Sequence, residues 1–571
     1  MRFFSAVPRV LSIHLLAFAS AVPAWAGWSV TPVAVRPTTA AIPNVAACND
    51  GAFGTFVAWQ EEMAPGVGTL RLQHLLATGD LDPSWPVEGA PVCSRSAGRP
   101  ALGALPDRSG GSYVWWLEGT SLYVNRVESN GSAAPGWPVD GLGLGTVWSP
   151  TFRPSVIEDG SHGLYIAWTT GTTLRAHHLG PDGLGAGGWT NGPRLLVSTD
   201  AAASSQLWPD LALTDDGGMF LSWATASPDT DVVESAMRLS RWTAAGMPAP
   251  AWPFEGLRLG PFRPEPLGQT PFAPMLAIAA DGRGGVFAHI GTLAGPPLFD
   301  TRLFRYASDG AIASGWPVNG FPIKSATYYN ADLVGIADAG LRVHSDRHDG
   351  AIVEYPNPYS DAPAIIGVSH VANNGAVAWP SSVIALGHEV VVRDDGGFHA
   401  ADFKCCGPAN PWDWPALLGL HAEPDGAWSS HFEVHSEPLI PWYGDIALAS
   451  TGDGGVVYYW SQNNIRYGLF ARRFNPTQEV TAVGPTSTRP ALSAIRFVPG
   501  SGIAARVQLE GGAARLELFD VSGRRLASRS ISGSGTFDVT LPGTASLSSG
   551  MYFARLQTSG MSPAAKVVVA R

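Results

Sequence analysis

Arg99-Pro-Ala-Leu-Gly-Ala-Leu105, Pro106-Asp-Arg-Ser-Gly-Gly111, Ser112-Tyr-Val-Trp-Trp-Leu117, Leu122-Tyr-Val-Asn-Arg-Val127 and Gly136-Trp-Pro-Val-Asp-Gly141 follow one another with little between them. The stretch is four short apolar runs separated by turn signals, and it recurs. Aligning the Gly-rich turn with the run after it gives Gly54-Thr-Phe-Val-Ala-Trp59, Gly111-Ser-Tyr-Val-Trp-Trp116, Gly163-Leu-Tyr-Ile-Ala-Trp168 and Gly218-Met-Phe-Leu-Ser-Trp223. Gly285-Val-Phe-Ala-His289, a weaker Gly340-Leu-Arg-Val-His344, Gly397-Phe-His-Ala400 and Gly455-Val-Val-Tyr-Tyr-Trp460 continue it. Successive copies stand 52 to 67 residues apart, a period that holds one four-stranded unit.

Each copy has the same grammar. A small-residue run such as Pro154-Ser-Val-Ile157 leads into an Asp- and Gly-rich turn (Asp159, Asp215, Asp281, Asp394, Asp453), where glycine supplies positive φ for a hairpin. A third run carries Arg near its start (Arg71, Arg175, Arg238, Arg305), and Trp85-Pro86, Trp137-Pro138, Trp252-Pro253 or Trp316-Pro317 follows. Proline cannot donate to a ladder, so the Trp-Pro element is expected on an outermost strand. Four strands per repeat, Gly-rich within and Pro-marked outside, describe a β-propeller blade. The expected fold is all-β: a propeller over 27–476, eight blades with seven as the alternative, then a small Ig-like β-sandwich. The last copy has no Trp-Pro element, and Gly27 to Val35 is expected to supply its outer strand and clasp the ring. The repeated Trp residues are read as filler between blades, with sugar stacking as the alternative.

The composition agrees. The 571 residues include 67 Gly, 47 Pro and 21 Trp but only 15% charged side chains, which argues against helical bundles. A net charge of −11 gives nucleic acid no basic stripe to bind. Arg2 and Arg9, the apolar run Val10 to Val22 and Ala24-Trp25-Ala26 read as a signal peptide over 1–26, cut by signal peptidase. No later stretch is apolar for long enough to span a bilayer. In an exported chain, Cys48 and Cys93 are the expected disulfide, and Cys405-Cys406 is either a vicinal bridge or two thiols.

Beyond a Thr-, Ser- and Pro-rich linker at 477–489, seven short alternating runs fill 490–571. Leu516-Glu-Leu-Phe-Asp520-Val-Ser-Gly523-Arg524, Leu547-Ser-Ser-Gly550-Met-Tyr552-Phe-Ala-Arg555-Leu556 and Lys566-Val-Val-Val569 resemble the type A C-terminal sorting domain of type IX (Por) secretion cargo. The pattern is also similar to the Ig-like domain of flagellar hook-capping proteins. Arg489-Pro490 stands where that family often opens with Asn-Pro. The resemblance implies export by outer-membrane secretion machinery and a secreted or surface location, with Asp520, Gly523, Arg524, Gly550, Tyr552 and Lys566 as the sorting motif.

Catalytic signatures are scarce. His431-Phe-Glu433-Val-His435 places two imidazoles and a carboxylate on one face of a strand, the one candidate metal set, read more cheaply as a polar strand edge. The Asp-rich turns lack the Asp-x-Asp-x-Asp run with a distal Glu that calcium needs, so no cofactor is predicted. No Gly-x-Ser-x-Gly elbow is present. The expectation is a non-catalytic binding or adhesion propeller for polysaccharide or protein. An exported glycoside hydrolase or polysaccharide lyase, with carboxylates at the channel mouth, is the alternative, and a structural surface protein the third reading. What recurs is scaffold, so function is expected where copies differ: the Pro261 to Pro271 insert and the stretch from Tyr355 to Trp442.

Overall fold

In the quoted stretch the apolar runs become strands Leu102–Pro106, Ser112–Glu118 and Ser121–Val127, and Leu142–Thr146 completes an antiparallel sheet in chain order. Asp107 makes the first turn. Its Oδ1 accepts the N–H groups of Ser109 and Gly111, both at 2.7 Å, and its Oδ2 accepts Arg126 Nε from the third strand at 2.9 Å. A Cβ on Gly111 would lie 2.3 Å from the Val127 carbonyl oxygen, so the turn closes only around glycine. Asp50 with His74, Asp159 with His178, Asp281 with Arg305 and Asp346 with His370 repeat the device.

This computed structural model describes residues 32–64, 66–99, 101–150, 153–171, 173–198, 205–226, 236–259, 276–293, 298–327, 341–356, 365–379, 383–386, 389–404, 416–425, 427, 432–436, 443–462, 468–475, 491–498, 502–509, 513–520, 524–533, 535–557 and 564–569. Among them no helix occurs, so none is long and apolar enough to cross a membrane. The chain divides into two units, Met1–Glu479 and Val480–Arg571.

The first unit contains eight four-stranded antiparallel sheets among the described residues. Their first strands are Val45–Asn49, Leu102–Pro106, Ser155–Glu158, Ser205–Leu213, Leu276–Ala280, Arg342–Ser345, Glu389–Val392 and Tyr443–Ser450. Apolar side chains fill the spaces between sheets. Trp59, Trp116, Trp168, Trp223 and Trp460 are wholly buried, which makes them filler and removes them as sugar platforms. The eighth sheet takes its outer strand from the other end of the chain: Val33–Pro37 pairs with Gly468–Phe474, Val33 opposite Ala471. The expected clasp is therefore present; of its predicted segment, 27–31 lies outside the described residues. Arg36 reaches Glu61 on the first sheet with Nε and Nη2 at 2.9 and 3.0 Å, and the Val45 N–H donates to Asp445 at 2.8 Å. First and eighth sheets thus meet.

Three expectations need correction. The Trp-Pro elements are not on outer strands. Trp137 and Pro138 lie in the connection before Leu142–Thr146, where the Gly141 N–H donates to the Pro138 carbonyl at 2.9 Å. A loop tolerates the missing proline donor as readily as an edge does. The indole spans to the next sheet, Trp137 Nε1 donating to the Pro181 carbonyl at 2.9 Å, and Trp85, Trp189, Trp252, Trp316 and Trp379 do likewise.

The second correction concerns Gly340-Leu-Arg-Val-His344. It is not the post-turn strand of the sixth repeat: Arg342–Ser345 is the first strand, and Ala351–Pro356 follows the turn. The true turn, Asp346-Arg-His-Asp-Gly350, hides because Arg347 and Asp349 take the positive φ that glycines take elsewhere.

Third, Cys48 and Cys93 are free buried thiols, not a disulfide. Cys48 is on the first strand and Cys93 lies beyond the fourth strand, Ala90–Pro91, of the same sheet. Three strand spacings put them roughly 14 Å apart, twice what a bridge spans. Cys405 and Cys406 lie outside the described residues.

Among the described residues the second unit is a sandwich of seven strands. One sheet orders Ala491–Val498, Gly502–Leu509 and Gly535–Thr540; the other orders Arg525–Ser532, Ala513–Asp520, Gly550–Gln557 and Ala564–Val569. Ile503, Val507 and Val539 from one sheet share a core with Leu516, Leu518 and Leu556 from the other. Asp520 caps its hairpin, accepting the Arg524 N–H at 3.0 Å and Nε at 3.1 Å. The Tyr552 hydroxyl donates to the Ser548 carbonyl at 3.0 Å, and Gly550 opens its strand. Lys566 pairs in register with Phe553, and Gly523 lies outside the described residues.

Candidate functional site

The Asp-containing first turns and the connections before the fourth strands fall at one end of each sheet, so the first strands begin at the opposite end, beside the turns between second and third strands. There the sixth, seventh, fourth and eighth sheets depart from the repeat. Where Leu102, Gly103 and Ala104 open the second sheet, Arg342-Val-His344 opens the sixth and Glu389 the seventh.

Alternation decides which way these side chains turn. Val343 and Val353 pack with Phe287 of the fifth sheet, whereas Ile352 packs with Val390 and Phe398 of the seventh. Arg342, His344 and Glu354 share the face of Ile352 and therefore look toward the seventh sheet. Further out, Trp379 and Val368 seal the same junction. Near the first strands it opens: Arg342–Ser345 and Glu389–Val392 approach each other less than the first strands of the fifth and sixth sheets do. Arg342, His344 and Glu389 form a partly exposed polar cluster at the junction of the sixth and seventh sheets.

There, His344 Nε2 lies 2.5 Å from Glu354 Oε1. The Glu354 side chain is 1% exposed and that of His344 30% exposed, so an inaccessible carboxylate holds an accessible imidazole. In this contact the imidazole Nε2–H donates to the carboxylate. Burial would raise the Glu354 carboxyl, but His344 and Arg342 overcome it and hold it below the ordinary glutamate range. Arg342, paired in register with Glu354, stands 4.0 Å from Glu389 with 45% and 35% of their side chains exposed. Behind them His289 binds the Arg342 carbonyl through Nδ1 at 3.1 Å; burial pushes His289 down to about 4, so it is a neutral donor.

Glu389 is the unusual group. The surrounding protein raises its carboxyl to about 7 against the pull of Arg342, and Glu354 and Asp445 add repulsion. It exchanges its proton near neutrality. Burial also raises Asp445, to about 6, and Asp210. Those two are occupied: Asp445 accepts the Val45 and Ile446 N–H groups at 2.8 and 3.0 Å, and Asp210 accepts the Ile278 and Leu211 N–H groups, both at 2.9 Å. They tie one sheet to the next.

The candidate metal set His431, Glu433 and His435 is described only in part. His431 lies outside the described residues, and Glu433 and His435 share the outer strand Phe432–Ser436, where a register shift between them breaks the alternation. His435 stacks on Trp460 of the eighth sheet, ring centres 5.1 Å apart, and its Nε2 meets Gln462 at 3.1 Å. Among the described residues no three or more His, Cys, Asp and Glu side chains are placed to hold a metal. The Pro261 to Pro271 insert is likewise outside them. Glu389 falls within the Tyr355 to Trp442 stretch singled out from the sequence, but Arg342, His344 and Glu354 lie just before it. Their signal was two polar residues at alternate positions of an inner strand.

No family model and no curated protein matches the chain. Among solved structures, an ulvan lyase, a polysaccharide lyase bound to a sulfated glucuronate–rhamnose oligomer, aligns at 12% identity and TM-score 0.38, over 71% of this chain and 96% of that one. An α-L-arabinanase of Penicillium chrysogenum aligns at 11% identity and TM-score 0.28, over 62% and 97%. Likeness this remote assigns neither an activity nor a ligand.

Proposed function

We propose that this chain is a secreted or surface-displayed eight-bladed β-propeller that binds a polysaccharide or protein ligand, exported by way of an Ig-like C-terminal sorting domain. The observation that carries the binding reading is the polar cluster at the junction of the sixth and seventh sheets. This junction has an apolar core like its neighbours and, beside it, presents Arg342, His344 and Glu389 partly exposed to solvent. Convergent polar groups beside an apolar wall are what a ligand site needs. The eight sheets and the shared closing strand support the blade count, and the seven-stranded sandwich supports the Ig-like reading. Export and sorting rest on the leader and on the three C-terminal motifs.

The second reading, an exported glycoside hydrolase or polysaccharide lyase, is favoured by Glu389, an accessible carboxyl that holds its proton near pH 7. A glycan array probed with the signal-free chain and with Arg342→Ala tests the binding reading. Retention of one glycan class, weakened at least tenfold by the substitution, is expected. Equal binding by both proteins refutes the assignment of this cluster.

A further inference from the structure

We infer that the polar cluster at the junction of the sixth and seventh sheets is a catalytic site that cleaves uronate-containing polysaccharides by β-elimination, with His344 as base, Glu389 as acid and Arg342 on the uronate carboxylate. The inference rests on the reading of this cluster as the ligand site and adds a reaction to it.

Elimination needs three groups in one place. A base removes the proton α to the carboxylate, a cation stabilises the charge that builds on that carboxylate, and an acid protonates the departing glycosidic oxygen. His344 has the form of a base, its Nε2 held by buried Glu354 at 2.5 Å while its side chain is 30% exposed. Arg342, two residues along on the same strand face, presents a half-exposed guanidinium that matches a carboxylate bidentately. Glu389 lies across from Arg342 at 4.0 Å on the neighbouring sheet. In the step, His344 Nδ1 takes the C5 proton and the C5–H electron pair forms the C4–C5 double bond. The C4–O bond breaks, and the leaving oxygen takes the proton of Glu389. The products are an unsaturated uronate end and a new free hydroxyl end. Returning the proton from His344 to Glu389 through solvent resets the site, with no oxidant, metal or water consumed.

Hydrolysis fits worse. It needs two accessible carboxyl groups flanking the bond. Glu354 is locked behind His344, while Asp210 and Asp445 are spent on backbone amides. Among the described residues here, only Glu389 remains.

The test uses the signal-free full chain with polygalacturonate, alginate, glucuronan and heparan sulfate, followed by the ultraviolet absorbance of the unsaturated uronate and by reducing ends. Product from one polymer is expected, lowered roughly 10²- to 10⁴-fold by His344→Ala and by Glu389→Gln with unchanged tryptophan fluorescence and circular dichroism. Should either variant fold poorly, His344→Gln and Glu389→Asp replace it. Glu354 is a positioning residue, so Glu354→Gln should displace the acidic limb of the pH–rate profile as well as lower the rate. A glycan retained on the array but never cleaved overturns the elimination and leaves the binding reading standing. Reducing ends without unsaturation overturn it in favour of hydrolysis. Neither binding nor cleavage of any polymer overturns both the elimination and the polysaccharide-binding reading.

Discussion

Removing the Arg36 guanidinium should loosen the ring where the chain closes it. Arg36 sits on the Val33–Pro37 strand and makes two charge-assisted hydrogen bonds to Glu61, at 2.9 and 3.0 Å, with side chains only 18% and 7% exposed. Breaking a buried pair from one side costs about 3–5 kcal/mol, because the remaining charge is stranded. Here Glu61 keeps the Thr38 hydroxyl at 2.6 Å and Arg71 at 4.0 Å, so Arg36→Ala should cost about 2–3 kcal/mol. The weaker contact of Arg36 with exposed Glu88 at 3.7 Å adds a few tenths at most. Urea unfolding followed by tryptophan fluorescence isolates the effect, since all 21 Trp precede residue 480. Burial would raise the Glu61 carboxyl; Arg36, Thr38 and Arg71 overcome that and hold it below the usual carboxylate range. A depressed carboxylate contributes above its unfolded value near pH ~4.3 and loses that contribution as pH falls through the folded value, so the cost of Arg36→Ala should shrink in acid. A loss below about 0.5 kcal/mol, or one of equal size in a Glu61→Gln background, would refute the reasoning.

Other perturbations follow the same logic. Trp137→Phe drops the bond to the Pro181 carbonyl and part of a buried indole, and should cost about 2–3 kcal/mol in the same urea assay. Gly141→Ala forces a Cβ to 2.4 Å from the Trp116 ring at a φ of +76°, and should cost at least about 2 kcal/mol or abolish soluble expression. Burial pushes the Cys48 thiol up to about 12, so peptide mapping after alkylation at neutral pH should find it unlabelled in the folded protein and labelled in urea. Burial lowers the His74 imidazole, but its bonds to Asp50 and Asp82 prevail and raise it. Its contribution is therefore full below the unfolded value near ~6.5 and fades as pH rises through the folded one. His74→Gln should destabilise more in mildly acidic than in alkaline buffer.

The repeat was legible because each strand, turn and filler Trp obeys a local rule. The Asp-to-Gly turns announce themselves through residue type and spacing, and burial of Trp116 or Trp223 follows from the apolar run around it. Trp137-Pro138 misled because missing donors are compatible with both an edge and a loop, and only the Nε1 contact with Pro181 separates them. The sixth repeat misled because Arg347 and Asp349 adopt conformations that sequence reasoning reserves for glycine. The cluster was illegible for a different reason. His344 and Glu354 meet through strand register, Glu389 arrives from another sheet, and the proton affinity of Glu389 is set by its surroundings rather than its identity.

The closing strand also dictates the order in which the first unit can be finished. Val45 bonds to Asp445, 400 residues away in the chain, and bringing such distant points together costs about 5 kcal/mol of loop entropy before any contact repays it. Seven sheets are built from neighbours and can form as the chain emerges; the eighth must wait for both ends. Until then Gly468–Phe474 offers an unpaired edge, open to Val33–Pro37 of another molecule as readily as to its own. High concentration during refolding should therefore favour strand-exchanged dimers, and dilution the closed monomer.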